Sequence, residues 1–262
     1  MPSGTNDFAL KSINDQSIPI TDLGEQASRL LMGGGFASRS GRVMLATGFE
    51  GNVDGAIPNE LYFSDAFGSG GGSFSVSSSE QTWQGNKCGI MTCGSTAQSQ
   101  PMLSKRFLSS LLGGRFGFEL MFRIIRGGTS GNPFEFGILL QNKQWDKYFD
   151  LRLHSSSGNY TDLKLQTIDA VSGSAIDLLD LAPSFSYDTY HLMKLVVDYD
   201  KKQYVQAIFD GQVFDLSSIP FATNIISSLP NYQNFSVFLY NMGSFLSPCV
   251  AVDNLILTSG EP

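Results

Sequence analysis

The chain has 262 residues, 17 of them Lys or Arg and 24 Asp or Glu, giving a net charge of −7; only 16% are charged, while Gly reaches 28 and Phe 20. Average usage would supply about 18 Gly in this length, so the surplus is real, and 12% of residues are aromatic. That excludes a disordered chain, which lacks the apolar residues to fold, and a coiled coil, which is rich in Ala, Glu and Lys. It also excludes a general nucleic-acid binder, because phosphate affinity comes from Lys and Arg and the pI here is about 4.8.

Residues 1–42 stand apart. They are polar and carry Pro2, Pro19 and the run Gly33-Gly34-Gly35. Asp22 to Met32 reads as a short helix, with Asp22 as cap, Glu25 three residues later and Gly33 after the end. The segment is expected to be an assembly or docking arm for the domain 43–262. No basic stretch followed by an apolar one opens the chain, so no signal peptide is expected. No run approaches the roughly 20 apolar residues of a membrane helix.

From Val43 the pattern changes. Phe116, Phe118, Leu120, Phe122 and Ile124 alternate with other residues, as do Phe134, Phe136, Ile138 and Leu140. Phe149, Leu151 and Leu153 follow, then Leu163 and Leu165, then Met193, Leu195, Val197 and Tyr199. Phe235, Val237 and Leu239 come next, and Val250, Val252, Asn254 and Ile256 close the series. A period of two means strands with one face on a core. Turn signals separate them, among them Asp210-Gly211 between two apolar runs, a strong hairpin marker. Residues 68–80 read as a Gly-rich loop entering an edge strand through Phe74 and Val76. Ser217 to Leu229 is expected to hold a short turn of helix. About twelve to fourteen antiparallel strands without a long helix predict an all-β fold of two packed sheets, a sandwich or jelly roll.

Cys88, Cys93 and Cys249 make an odd count, which argues against a disulfide framework. Three buried thiols, or a bridge between Cys88 and Cys93 across a bend, both fit. Two His and three scattered Cys lack the paired spacing of a zinc site.

The run Tyr190-His191-Leu192-Met193-Lys194-Leu195-Val196-Val197-Asp198-Tyr199-Asp200, then Gln203 to Phe209, Asp210-Gly211 and Val213-Phe214, resembles laminin G-like and concanavalin A-like sandwich domains. Val252-Asp253-Asn254-Leu255-Ile256-Leu257 resembles their last strand, and Thr47-Gly48-Phe49-Glu50-Gly51 their first. The likeness covers about residues 43–258. It implies that the first and last strands are neighbours. In the carbohydrate-binding jelly rolls it further implies a structural calcium, whose matching positions here are Glu50 and Asp253. Such an ion needs six to eight oxygens; the alternative is that Glu50 is a solvated turn residue and Asp253 bonds a backbone amide.

Catalytic patterns of this group are missing. The E-x-D-x-x-E strand of laminarinase-type hydrolases, which supplies carboxyls about 5–5.5 Å apart, does not occur, nor does the Q-x-H strand of lyases. No nucleophile elbow, zinc helix or phosphate loop is present. A non-catalytic protein is expected. Asp146, Asp150 and Arg152, near Trp145 and Tyr148, read either as a site or as a solvated strand face. For glycan binding, aromatic platforms with a few placed polar groups are needed. The candidates are Trp145, Tyr148, Asn142, Asp146 and Trp83, with Trp145 foremost because it lies in a polar hairpin. Two functions follow as expectations. One is a virion or surface-assembly protein, such as a bacteriophage decoration, fibre or tail component, docked through residues 1–42 and joined to other subunits. The other is a free-standing glycan-binding lectin. No nucleic acid is expected as a partner. Asn159-Tyr160-Thr161 and Asn234-Phe235-Ser236 are glycosylation sequons that matter only on a eukaryotic secretory route.

Overall fold

The computed structural model describes residues 42–59, 61–65, 71–83, 85–95, 98–108, 114–126, 133–157, 162–182, 185–187, 189–226, 228, 232–243 and 247–261. The expected arm, its short helix and its glycine run therefore lie outside the described residues, apart from Arg42.

Among the described residues fifteen strands run in chain order: β1 (Arg42–Thr47), β2 (Tyr62–Asp65), β3 (Ser73–Ser77), β4 (Cys88–Thr92), β5 (Pro101–Leu108), β6 (Arg115–Arg126), β7 (Phe134–Asn142) and β8 (Phe149–Ser155). Then come β9 (Lys164–Ile168), β10 (Ala175–Asp180), β11 (His191–Asp198), β12 (Gln203–Phe209), β13 (Gln212–Asp215), β14 (Tyr232–Asn241) and β15 (Cys249–Ser259). Every pairing is antiparallel. Sheet A has the order β13-β12-β11-β6-β15-β4-β3, with β1 also on β15; sheet B has the order β10-β9-β8-β7-β14-β5-β2.

The predicted alternation decides which residues face inward. Phe116, Phe118, Leu120, Phe122 and Ile124 of β6 join one buried cluster with Phe134, Phe136, Ile138 and Leu140 of β7. Rings meet across the sheets, Phe122 on Phe136 at 4.9 Å and Tyr204 on Phe149 at 4.9 Å. Burying so many large apolar side chains is the main favourable term in folding.

The first and last strands pair, as the resemblance implies, through Arg42↔Ser259 to Thr47↔Leu255. The Asp210-Gly211 turn joins β12 to β13 with positive φ at both positions, 47° and 84°, the geometry that a two-residue hairpin of this type requires. β3 is an edge strand of sheet A, as Phe74 and Val76 suggested. Residues 217–226 differ from expectation: they form turns and an isolated bridge, Trp145↔Ile225, instead of a helical turn. The reason is tertiary, because that bridge and the Phe221 ring draw the segment onto the hairpin that carries Trp145. All three cysteines are free and buried, and burial pushes the Cys88 thiol up to about 11. Among the described residues no helix is long and apolar enough to cross a membrane.

Candidate functional site

While one register of each strand builds the core, the other builds the outer faces. On sheet B the outward positions of β8 are Asp150, Arg152 and His154, since Phe149, Leu151 and Leu153 lie in the core. Glu135 of β7 stands opposite His154, and Gln166 of β9 opposite Arg152. Residues far apart in sequence thus meet on one surface.

Arg152 is the centre of this group. Its Nη1 donates to Glu135 Oε2 at 3.2 Å and approaches Asp150 Oδ2 at 3.5 Å. The other Glu135 oxygen, Oε1, pairs with His154 Nδ1 at 3.0 Å. Gln166 Nε2 donates to Asp177 Oδ1 at 2.7 Å, which extends the polar row onto β10. Gly137 makes the close approach possible. A Cβ there would lie 2.6 Å from Arg152 Cα and 2.8 Å from Arg152 Cβ, and closer still to the Leu151 carbonyl.

Asp150 is only 1% exposed. Burial raises its carboxyl to about 7, against the lowering pull of Arg152 and with a smaller raising push from Glu135. Its strand is pinned by Tyr204, whose hydroxyl oxygen accepts the Asp150 N–H at 3.0 Å, and by Thr167, whose hydroxyl donates to the Asp150 carbonyl at 2.6 Å. Three atoms of this group, Asp150 Oδ1, Arg152 Nε and Gln166 Oε1, are withdrawn from solvent and make no hydrogen bond within the chain. On β14 of the same face, Asn234 Oδ1 shares that condition, while its Nδ2 donates to Ser236 Oγ at 2.7 Å. Buried polar atoms of this kind are normally satisfied, and exceptions mark places where water or a ligand completes the set.

The predicted glycan residues are divided by the structure. Tyr148 enters β8 beside the group, 39% exposed; burial, then the Asp150 charge, raises its phenol. Trp145 corrects the foremost expectation. It is 6% exposed, packed on Phe149, Tyr199 and Phe221 at 5.9, 5.2 and 5.9 Å, and has no open face for a sugar. Its polar neighbours are turn formers. Asn142 Oδ1 accepts the Gln144 N–H at 2.9 Å. Asp146 accepts from Thr223 Oγ1 at 2.7 Å and from the Asn224 N–H at 2.8 Å; the Thr223 hydrogen bond leads in holding its carboxyl below the usual range. Trp83 lies between β3 and β4 of the other sheet, its backbone N–H donating to Asp253 Oδ2 at 3.1 Å.

That contact bears on calcium. Asp253 Oδ2 takes the Trp83 N–H, and Oδ1 takes the Asn254 N–H at 2.8 Å. Glu50 Oε1 takes the N–H groups of Asn86 and Lys87, both at 2.7 Å. The two expected ligands are thus acceptors for amides of one loop, 83–87. Among the described residues no group of three or more His, Cys, Asp or Glu is arranged to hold a metal ion. An ion needing six to eight oxygens would have to share these carboxylates with the N–H groups they already hold.

Sequence reasoning missed Glu135 as the partner of Arg152, and His154 and Gln166 as members of the same group. The signal was there in the outward register of three successive strands, once β7, β8 and β9 are paired as a meander. The sequon at Asn234 falls inside β14, where the side chain is buried.

No protein-family model matches the chain, and no curated protein matches it in sequence. Among solved structures it is similar to the cellulose induced protein Cip1, at 12% identity over 82% of this chain and 97% of that one, with a TM-score of 0.53. It is also similar to the carbohydrate recognition domain of Emp47p, at 13% identity over 86% of this chain and 100% of that one, with a TM-score of 0.51. The likeness is one of fold, and in fold this chain is an antiparallel β-sandwich.

Proposed function

We propose that the sandwich binds neutral glycans on the outer face of sheet B and does not cleave them. The observation that carries this reading is the set Asp150 Oδ1, Arg152 Nε and Gln166 Oε1, recessed and unpartnered beside the exposed Tyr148 ring. Sugar hydroxyls are both donors and acceptors and suit such a mixed set, while the ring offers an apolar contact. Neutrality follows from charge. Arg152 is already paired with Glu135, so a uronate carboxylate would find the one guanidinium neutralised. Binding without cleavage is supported by the occupancy of Glu135. Hydrolysis needs one carboxyl to protonate the leaving oxygen and a second to act on the other side of the bond, whereas Glu135 spends both oxygens on Arg152 and His154.

The test is a glycan array carrying neutral and uronate oligosaccharides, read for wild type and Gln166→Ala. Wild type is expected to retain neutral glycans and the variant to lose them while keeping its melting temperature. A folded wild type that binds nothing, or that prefers uronates, refutes the reading. Release of reducing ends from a bound glycan refutes the non-catalytic part. A second proposal rests on the change of composition at Val43: residues 1–42 attach the domain to a larger assembly, with a virion as the leading case. A chain lacking 1–41 that still joins its assembly would overturn it.

A further inference from the structure

We infer that the chain carries a second carbohydrate platform on the outer face of sheet A, built on Trp83 and Tyr190 with the Arg123–Glu80 pair, so that one molecule engages two glycan chains. The site stands on its own observations; the bivalency also rests on the sheet B reading.

Trp83 is 44% exposed, whereas the apolar side chains on the strands below, Met121, Leu192 and Ile208, are at most 5% exposed. Val213, 59% exposed opposite Ile208 on the edge strand β13, also belongs to this face; around Trp83 itself the open apolar surface is an indole with the edge of a tyrosine. That is the size of one sugar ring, far from the roughly 1,000 Å² that a stable protein interface buries. Tyr190 packs against the same apolar trio, its ring 6.3 Å from the indole. Its hydroxyl donates to the Gln81 carbonyl at 2.7 Å, which fixes the ring.

The loop that presents Trp83 is clamped at both ends, by Asp253 at the Trp83 N–H and by Glu50 at the Asn86 and Lys87 N–H groups. A platform held before the ligand arrives loses little entropy on binding. Beside it, the Arg123 guanidinium lies 5.9 Å from the centre of the Tyr190 ring, and its Nη2 donates to Glu80 Oε2 at 3.0 Å. Arg123 Nε is buried and makes no hydrogen bond within the chain. An aromatic face, a carboxylate acceptor and a guanidinium with a spare donor suit the apolar side and the adjacent hydroxyls of a neutral pyranose.

Calorimetric titration with four neutral tetrasaccharides, of β-1,4-glucan, β-1,3-glucan, β-1,4-xylan and β-1,4-mannan, tests this. Wild type is expected to bind two equivalents of at least one of them, Trp83→Ala one, and Gln166→Ala one. Trp83→Phe should restore the second equivalent with at most a tenfold loss of affinity. Beads coated with the same sugar should be agglutinated by wild type and by neither single variant. Agglutination by Trp83→Ala, or unchanged stoichiometry in that variant at an unchanged melting temperature, overturns the proposal, as does a wild type that binds none of the four. Loss of all binding in Trp83→Ala with no effect of Gln166→Ala would instead sink the sheet B reading and keep this site.

Discussion

Gly137→Ala is the sharpest perturbation of the sheet B site. The added methyl would meet Arg152 Cα at 2.6 Å and Arg152 Cβ at 2.8 Å, with the Leu151 carbonyl nearer still. The obstacles include backbone of the paired strand, so no rotamer change relieves them; β7 and β8 must separate. Overpacking of this kind costs typically about 1–3 kcal/mol, and a backbone clash belongs at the upper end. For a domain of this size about 1 kcal/mol lowers the midpoint by about 2–4 °C, so a drop of about 6–12 °C is expected in a calorimetric scan. Displacement of Arg152 also breaks its bonds to Glu135 and Asp150, so glycan affinity should fall with stability. Gly173→Ala is the control. Its new methyl meets nothing within 4 Å, and only the backbone at φ 72° resists, costing about 1–2 kcal/mol with no effect on binding. A Gly137→Ala protein within 2 °C of wild type would refute the close approach of these strands.

Three further outcomes follow. Asp150 in the folded chain titrates at about 7, raised from 3.8, so the native state holds the extra proton between those values and stability declines as pH rises through that window. Asp150→Asn should remove the decline, at most about 1.4 kcal/mol per pH unit, in urea titrations at pH 5 and 8; an unchanged slope refutes the burial argument. His191 has acceptors on both ring nitrogens, Asp210 Oδ2 at 2.6 Å and the Ser186 carbonyl at 2.7 Å. Burial opposes its charge, yet the Asp210 and Ser186 contacts raise its pKa overall, so its stabilising share is complete below 6.5 and disappears as pH climbs through the folded value. NMR titration of the ring protons giving a midpoint below 6.5 would contradict this. Chelators should leave the melting temperature unmoved, whereas Glu50→Ala should cost about 0.5–1.5 kcal/mol by removing the acceptor of the exposed Asn86 and part-buried Lys87 amides; a chelator-induced drop restores calcium.

The fold was legible because period-2 alternation is a local signal, and Phe116 to Ile124 or Phe134 to Leu140 carry it without ambiguity. The site was half legible. Asp150 and Arg152 were visible as a pair with Tyr148 nearby, but Glu135 and Gln166 reach them only through strand pairing. Trp145 misled for a similar reason. Its neighbours Asn142, Gln144 and Asp146 are those of an exposed loop, and what covers it, Phe221 and the Ile225 bridge, comes from a segment some 75 positions later. Burial of a loop aromatic by a distant loop leaves no trace in the local pattern. The same contact overrode the expected helical turn near Ser217, since the backbone that would have closed on itself pairs with residues 144–146 instead, as in Ile226 N–H to the Gln144 carbonyl at 2.5 Å.

Among the described residues the glycines serve at least two purposes. Some glycines make turns, as at 211. Two others sit in strand interiors, on outward positions, each making room for a charged group. Gly137 clears Arg152 on sheet B, and Gly117 clears the buried pair Lys194–Glu261 on sheet A, where a Cβ would lie 2.6 Å from Glu261 Oε1 and 2.8 Å from Lys194 Cε. Lys194 Nζ donates to Glu261 Oε1 at 2.8 Å with both side chains shut off from solvent, an arrangement costly to disturb because either charge left alone is buried unpaired. The obstacles differ, backbone of the paired strand at Gly137 and side-chain atoms at Gly117, and so do the consequences. Gly117→Ala should destabilise the chain by about 3 kcal/mol, the upper end for overpacking, while leaving affinity at both proposed glycan sites unchanged, because none of their residues contacts Gly117. Gly137→Ala should lower both stability and sheet B affinity. If the two variants lose affinity in equal measure at matched stability, binding merely tracks the folded fraction, and the assignment of Arg152 and its neighbours to the ligand fails.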